Sequence, residues 1–176
     1  MLGMNYIMPS SAAVTVVGGS EVQRRLVKNG AKYFLKYLLS ISTAKRRLCA
    51  SSIDLKVELE KQLYRQDSTK GDLEPMDDDP HWFELRLDSS MNLPGLLKTL
   101  AHECVHVVQY ATGEMAETNA PLITKWRGKK VNWSNIHYYD QPWEVEAYGR
   151  ETGLYERFIS SERLAGERWY IDYDYQ

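Results

Sequence analysis

Residues 97–110, LKTLAHECVHVVQY, decide how the rest of the chain is read. They hold two of the four histidines, His102 and His106, with Glu103 between them. Leu97, Leu100, Ala101, Val105 and Val108 recur at helical spacing, which predicts a partly buried helix. Residues four apart on a helix project from one face, so His102 and His106 can share one metal ion. Glu103 is rotated about 100° from His102, within reach of a water on that ion without being a ligand. Zinc accepts imidazole nitrogen. It brings its water to a pKa of about 7, and a neighbouring carboxylate takes the proton during attack. With four His and fourteen Glu in 176 residues, chance would produce H-E-x-x-H about once in a hundred such chains. The bland alternative is a pair of hydrogen-bonded core histidines. Cys104, about 200° from His102 on the wheel, reads as a small packing residue.

A catalytic zinc site usually has three protein ligands and an open position. The downstream candidates are His137, Asp140, Glu144, Glu146 and Glu151. Pro142 opens a predicted helix, PWEVEAYGRETGLYERFIS, and helix geometry separates the carboxylates. Ala147, Tyr148, Leu154, Tyr155, Phe158 and Ile159 all fall within about 80° of Glu144. Glu146 falls at about 200°, with Glu156 and Arg157 on the charged face. A carboxylate on an apolar face needs a partner, and zinc is one, so Glu144 is the expected third ligand. Glu151, on the same face two turns on, either orients a ligating histidine or forms a half-buried salt bridge. His137, Tyr138 and Tyr139, just before this helix, are candidate donors to a tetrahedral oxyanion, or simply packing residues. Gln109 is a further candidate for the metal-facing surface.

Outward from these two segments, Ser20 caps a predicted helix over 21–40. SIDLKVELEK and HWFELRLD alternate apolar and polar residues, which predicts two strands paired as a hairpin across the loop QDSTKGDLEPMDDDP. Asn92 or Ser90 caps the metal helix, with Pro94 in its first turn and a stop at Gly113. Residues 114–141 read as irregular with a short strand near KWRGKKVNW, and the aromatic tail GERWYIDYDYQ as a final strand. Residues 1–19 read as a mobile arm without the basic start of a signal peptide, and residues 20–176 as one domain. No apolar run reaches membrane-spanning length. Two cysteines cannot build a disulfide framework or a four-cysteine ribbon, which fits reduced thiols and a cytoplasmic setting. The net charge of −2 argues against nucleic acid as a partner, despite KWRGKK and AKRR.

With HECVH and PWEVEAYGRE placed, the chain resembles the gluzincins, HExxH metallopeptidases whose third ligand is a glutamate on a later helix. Its element order is similar to minigluzincin and SprT-like domains and to small metallopeptidase-like proteins of phages and bacteria. The resemblance covers residues 20–160, with specific motifs at 102–106 and 142–150. It implies an α+β zincin-like domain: an N-terminal helix, a small antiparallel sheet, the HExxH helix and a C-terminal ligand helix. It implies His102, His106 and Glu144 as Zn2+ ligands and Glu103 as the general base of peptide-bond hydrolysis on a polypeptide substrate. The strand HWFELRLD would pair with extended substrate by β-augmentation, and the neighbouring DDDP would favour basic substrates. Two features differ from these relatives. The third histidine and cysteine ribbon of SprT-like proteins are missing, so their DNA-repair role is not carried over. Tyr148 stands where relatives with E-x-x-A-D have aspartate. From another class, a non-catalytic, metal-stabilised binding module acting on a protein partner also accommodates these residues.

Overall fold

The computed structural model describes residues 12–42, 53–76 and 81–170. Strand β1 (Ala13–Gly18) leads into helix α1 (Glu21–Ile41), which opens on a capping box. The Gln23 amide donates to Ser20 Oγ, and the Gln23 side chain accepts the Ser20 N–H. Such a cap is worth about 1 kcal/mol. Leu26, Val27, Phe34, Leu35 and Leu38 bury one face of α1. Gly30 sits inside that face because a β-carbon there would lie 3.2 Å from a Leu100 methyl, so glycine lets α1 approach the central helix.

That central helix is α3 (Leu93–Ala111), and it carries the HECVH motif. Asn92 caps it by accepting the Gly95 N–H at 2.8 Å, and Pro94 lies in its first turn. Nearly every residue from Leu96 to Ala111 is buried, because α1, α4 (Pro142–Ser161) and the sheet pack around it. A helix so enclosed is a fixed platform, which is what precise side-chain placement requires.

The main sheet runs β1-β2-β4-β3, with β2 (Asp54–Glu60), β3 (Gly71–Pro75) and β4 (Trp82–Asp88). The alternation is as expected: Leu55, Val57 and Leu59 of β2, and Phe83, Leu85 and Leu87 of β4, are buried. The pairing is not. β2 and β4 are parallel, Asp54 opposite Trp82 and Glu60 opposite Asp88, so the expected hairpin does not form. Between them the chain makes the short helix α2 (Leu63–Asp67), which runs into the start of the stretch expected to be loop, and then β3, which lies inside it. The hairpin is β3–β4, antiparallel, and it puts β3 at the sheet edge and HWFELRLD in its interior. Residues 13–18, expected in a mobile arm, are instead an edge strand parallel to β2. Val14 is buried against the core, and six register pairs hold the strand.

Beyond α3 the expected irregular region contains a three-stranded antiparallel sheet: β5 (Met115–Glu117), β6 (Ile123–Trp126) and β7 (Lys129–Asn132). The protein is thus a mixed α+β single domain with a small antiparallel sheet. Residues 168–170 are helical rather than extended, with Trp169 and Tyr170 packed on the core. The remainder of the tail, AKRR, Cys49 and DDDP lie outside the described residues. Among the described residues no helix is long and apolar enough to cross a membrane.

Candidate metal centre

One turn of α3 puts His102 and His106 on the same side, and the first turn of α4 brings Glu144 against them. Pro142 starts α4, so the inward direction of Glu144 is set two residues into a rigid helix. One ligating atom from each of the three residues lies within 4.8 Å of the others. His102 Nε2 is 3.3 Å from Glu144 Oε2, and His106 Nε2 is 3.5 Å from Glu144 Oε1. The two Nε2 atoms are 3.2 Å apart. All three side chains are buried.

The hydrogen bonds behind the imidazoles determine what this arrangement accepts. His102 Nδ1 lies 3.0 Å from Glu151 Oε2, and His106 Nδ1 lies 2.8 Å from Gln109 Oε1. Both Nδ1 atoms therefore donate, which leaves each neutral ring with a lone pair on Nε2. Two such lone pairs and a carboxylate converge on one spot, and Glu144 Oε2 there has no hydrogen-bond partner. Three acceptors around one point call for a cation. A proton on His102 meets the need in part: burial pushes its pKa down, but Glu144 and Glu151 reverse this and hold it at about 9. Burial pushes Glu144 up, yet His102, His106 and the Tyr138 hydroxyl draw it down to about 2. The donor set of two imidazoles and one carboxylate suits a divalent ion such as zinc.

Glu103 faces the same cavity system, and burial raises its carboxyl above the ordinary range despite the nearby histidines. Gly71, Glu103 and Tyr138 form a shared wall between two hollows of about 460 and 740 Å³. The smaller continues past His106 to Leu73, Tyr110, Met115, Trp133 and Trp143. The larger passes His102 to Lys98, Tyr139, Tyr148 and Glu151. Together they make a groove with openings on both sides of Glu103.

Among the expected accessory residues, Glu151 contacts His102, and Tyr138 lines both hollows. Tyr139 lines the larger hollow only. His137 is exposed, stacks 5.7 Å from the Tyr139 ring and lines neither hollow. Asp140 is exposed too. Tyr148, expected in the core, is 40% exposed and sets its ring 4.5 Å from that of His102. Cys104 is wholly buried in the core, where burial pushes its thiol up. Glu146 corrects the helical-wheel reading: instead of a solvated carboxylate it accepts from Gln109, Arg127 and Arg150. The wheel misses this because the covering groups come from α3 and from the β6–β7 turn. Gly71 was also missed, since nothing in its local sequence marks a close approach to Glu103. No family model, curated protein or solved structure matches the chain.

Proposed function

We propose that the protein is a zinc-dependent metallopeptidase of zincin-like, gluzincin type, hydrolysing peptide bonds with Glu103 as general base. The observation that carries this reading is the convergence of His102, His106 and Glu144 acceptors at the floor of an open groove, with Glu103 on its wall. Zinc, when bound, supplies Lewis acidity and makes water a nucleophile near neutral pH. His102, His106 and Glu144 would hold it. Glu103, not a ligand, would take the proton from the attacking water and pass it to the leaving amine. The Tyr138 hydroxyl, at the same wall, is the donor best placed for a developing oxyanion.

The substrate would lie along β3 rather than HWFELRLD, which is interior. Asp88 N–H bonds Lys70 C=O, and Met76 N–H bonds Trp82 C=O, so residues 70, 72, 74 and 76 face β4. Alternation turns the backbone groups of Gly71 and Leu73 to the open edge, above the groove. The Gly71 carbonyl accepts from the Thr69 hydroxyl, which leaves the Gly71 N–H and both Leu73 groups to pair with an extended peptide. A groove open on both sides of Glu103 suits an endopeptidase.

The test is elemental analysis of the purified protein followed by hydrolysis of an unfolded protein substrate. One zinc per chain, activity abolished by a chelator and restored by zinc, is the expected result. Zinc without hydrolysis of any unfolded protein would favour the metal-stabilised binding module, and absence of any metal binding would overturn both readings.

A further inference from the structure

Behind His106, on the side away from the groove, Gln109 and Glu146 form a polar layer that the metal site does not by itself require. Gln109 is 1% exposed. Its amide nitrogen lies 3.2 Å from the Trp143 carbonyl oxygen and 3.3 Å from Glu146 Oε2, two groups that can only accept. The amide nitrogen must therefore occupy that position, and its oxygen must face His106 Nδ1 at 2.8 Å. A carbonyl only accepts, so the hydrogen of the neutral ring is fixed on Nδ1 and the lone pair on Nε2.

Glu146 is itself held as an acceptor on both oxygens. Arg150 grips Oε1 through Nε and Nη2 at 3.1 and 2.9 Å, and Arg127 Nη2 reaches Oε2 at 3.0 Å. With Gln109, four N–H groups converge on one carboxylate, and a neutral amide at this position cannot accept all of them.

We infer that Glu146, acting through Gln109, is a positioning residue that sets the tautomer of His106 and so keeps its Nε2 available to a metal ion. The inference rests on the proposed metal site but not on peptide hydrolysis. In Glu146→Gln, the two-pronged grip of Arg150 holds the new carbonyl and turns the new NH2 group towards Gln109. Gln109 then keeps only the Trp143 carbonyl of the two acceptors that held its NH2 in place, and the share of its amide that reverses to accept from the new NH2 presents its own NH2 to His106 Nδ1 and moves the ring hydrogen to Nε2. A protonated Nε2 cannot bind zinc.

The experiment is nitrogen-15 NMR of the imidazoles in the zinc-free protein, at a pH where His106 is neutral, with zinc affinity measured by chelator competition. The wild type should show His106 protonated on Nδ1. Glu146→Gln should shift that population towards Nε2–H and weaken zinc binding roughly ten- to hundredfold, the range for loss of a group that orients a ligand. Arg150→Ala, which removes a salt bridge but keeps the carboxylate acceptor, should bind zinc within about twofold of wild type, well under that range. Wild-type His106 protonated on Nε2 would overturn the inference whether or not any variant folds. So would an unchanged tautomer in Glu146→Gln, or an equal loss of affinity in Arg150→Ala, which would mark a merely structural ion network. A wild type that binds zinc but hydrolyses nothing would overturn the peptidase reading and leave these readouts intact.

Discussion

The α-carbon of Gly71 faces Glu103 so closely that a methyl group on it would lie 2.8 Å from Glu103 Oε1. The same methyl would lie 2.9 Å from Thr99 Cγ2. The backbone of β3 thus passes directly over the proposed base, and only glycine leaves the carboxylate where it stands. Gly71→Ala introduces a contact that the flexible end of Glu103 relieves most easily by moving. We expect a stability loss of about 1–3 kcal/mol from overpacking, unchanged zinc content, and turnover reduced roughly a hundredfold by displacement of the base. Chemical denaturation, elemental analysis and steady-state kinetics on one preparation measure all three. Full activity in this variant would mean that Glu103 has no fixed working position.

Glu103→Gln preserves shape and removes the basic oxygen. Glu103 lies outside the His102, His106 and Glu144 cluster, so zinc content should stay at one per chain. Hydrolysis should fall at least about a hundredfold. A variant that keeps both its zinc and its activity would exclude Glu103 as the base.

The three long helices were legible because their signals are local. Ser20 with Gln23, Asn92 with Pro94, and Pro142 each start a helix where the sequence places them. Strand faces were legible for the same reason, since alternation in 54–60 and 82–88 needs no knowledge of partners. Strand partners were not legible. Two alternating segments pair equally well on paper whether parallel or antiparallel. The choice fell to β3, a five-residue strand of Gly, Asp, Leu, Glu and Pro that carries almost no strand propensity of its own. It forms because Leu73 packs on the core and because its backbone completes the ladder of β4.

Asp88, at the end of β4, gives the fold a defined acid sensitivity. Burial pushes its carboxyl up, but the backbone N–H groups of Tyr64, Ser90 and Gln62 outweigh burial and hold it below the ordinary value. A folded pKa below the unfolded value of about 3.9 stabilises above that pH, and the contribution is lost as pH falls towards the folded value. Asp88→Asn should cost about 1–3 kcal/mol at pH 7, because an amide cannot accept on both sides. Urea unfolding at pH 7 and pH 3 should show the gap between wild type and variant narrowing in acid. A gap of constant size would mean that the Asp88 charge is not what holds α2 against the sheet.

In the candidate site, the helical wheel separated Glu144 from Glu146 correctly as regards direction and wrongly as regards environment. Direction is a property of one helix, fixed by 3.6 residues per turn. Environment depends on what else arrives, and here it is Gln109 from α3 and Arg127 from the β6–β7 turn. The same limit applies to Tyr148, which lies on the apolar side of α4 by angle yet stands at the groove with its ring against that of His102.

Two glutamates touch His102 on opposite ring nitrogens, and this makes the assignment of the third ligand testable. Glu144 meets Nε2 at 3.3 Å and also reaches His106, whereas Glu151 meets Nδ1 at 3.0 Å. If the metal lies between the two Nε2 atoms, Glu144 ligates it and Glu151 only fixes the ring. Glu144→Ala should then weaken zinc binding by more than about tenfold and abolish hydrolysis, since even a supporting group is worth about tenfold or more. Glu151→Gln keeps an oxygen that can accept the Nδ1 hydrogen, so its loss should be smaller, at most about tenfold. Zinc affinities by chelator competition, with circular dichroism to confirm folding, decide between them. Should Glu151→Gln strip the metal while Glu144→Ala retains it, the His102 ring would have to be turned over, with Nδ1 on the ion. The cluster of His102, His106 and Glu144 would then be a network of buried hydrogen bonds and not the metal centre.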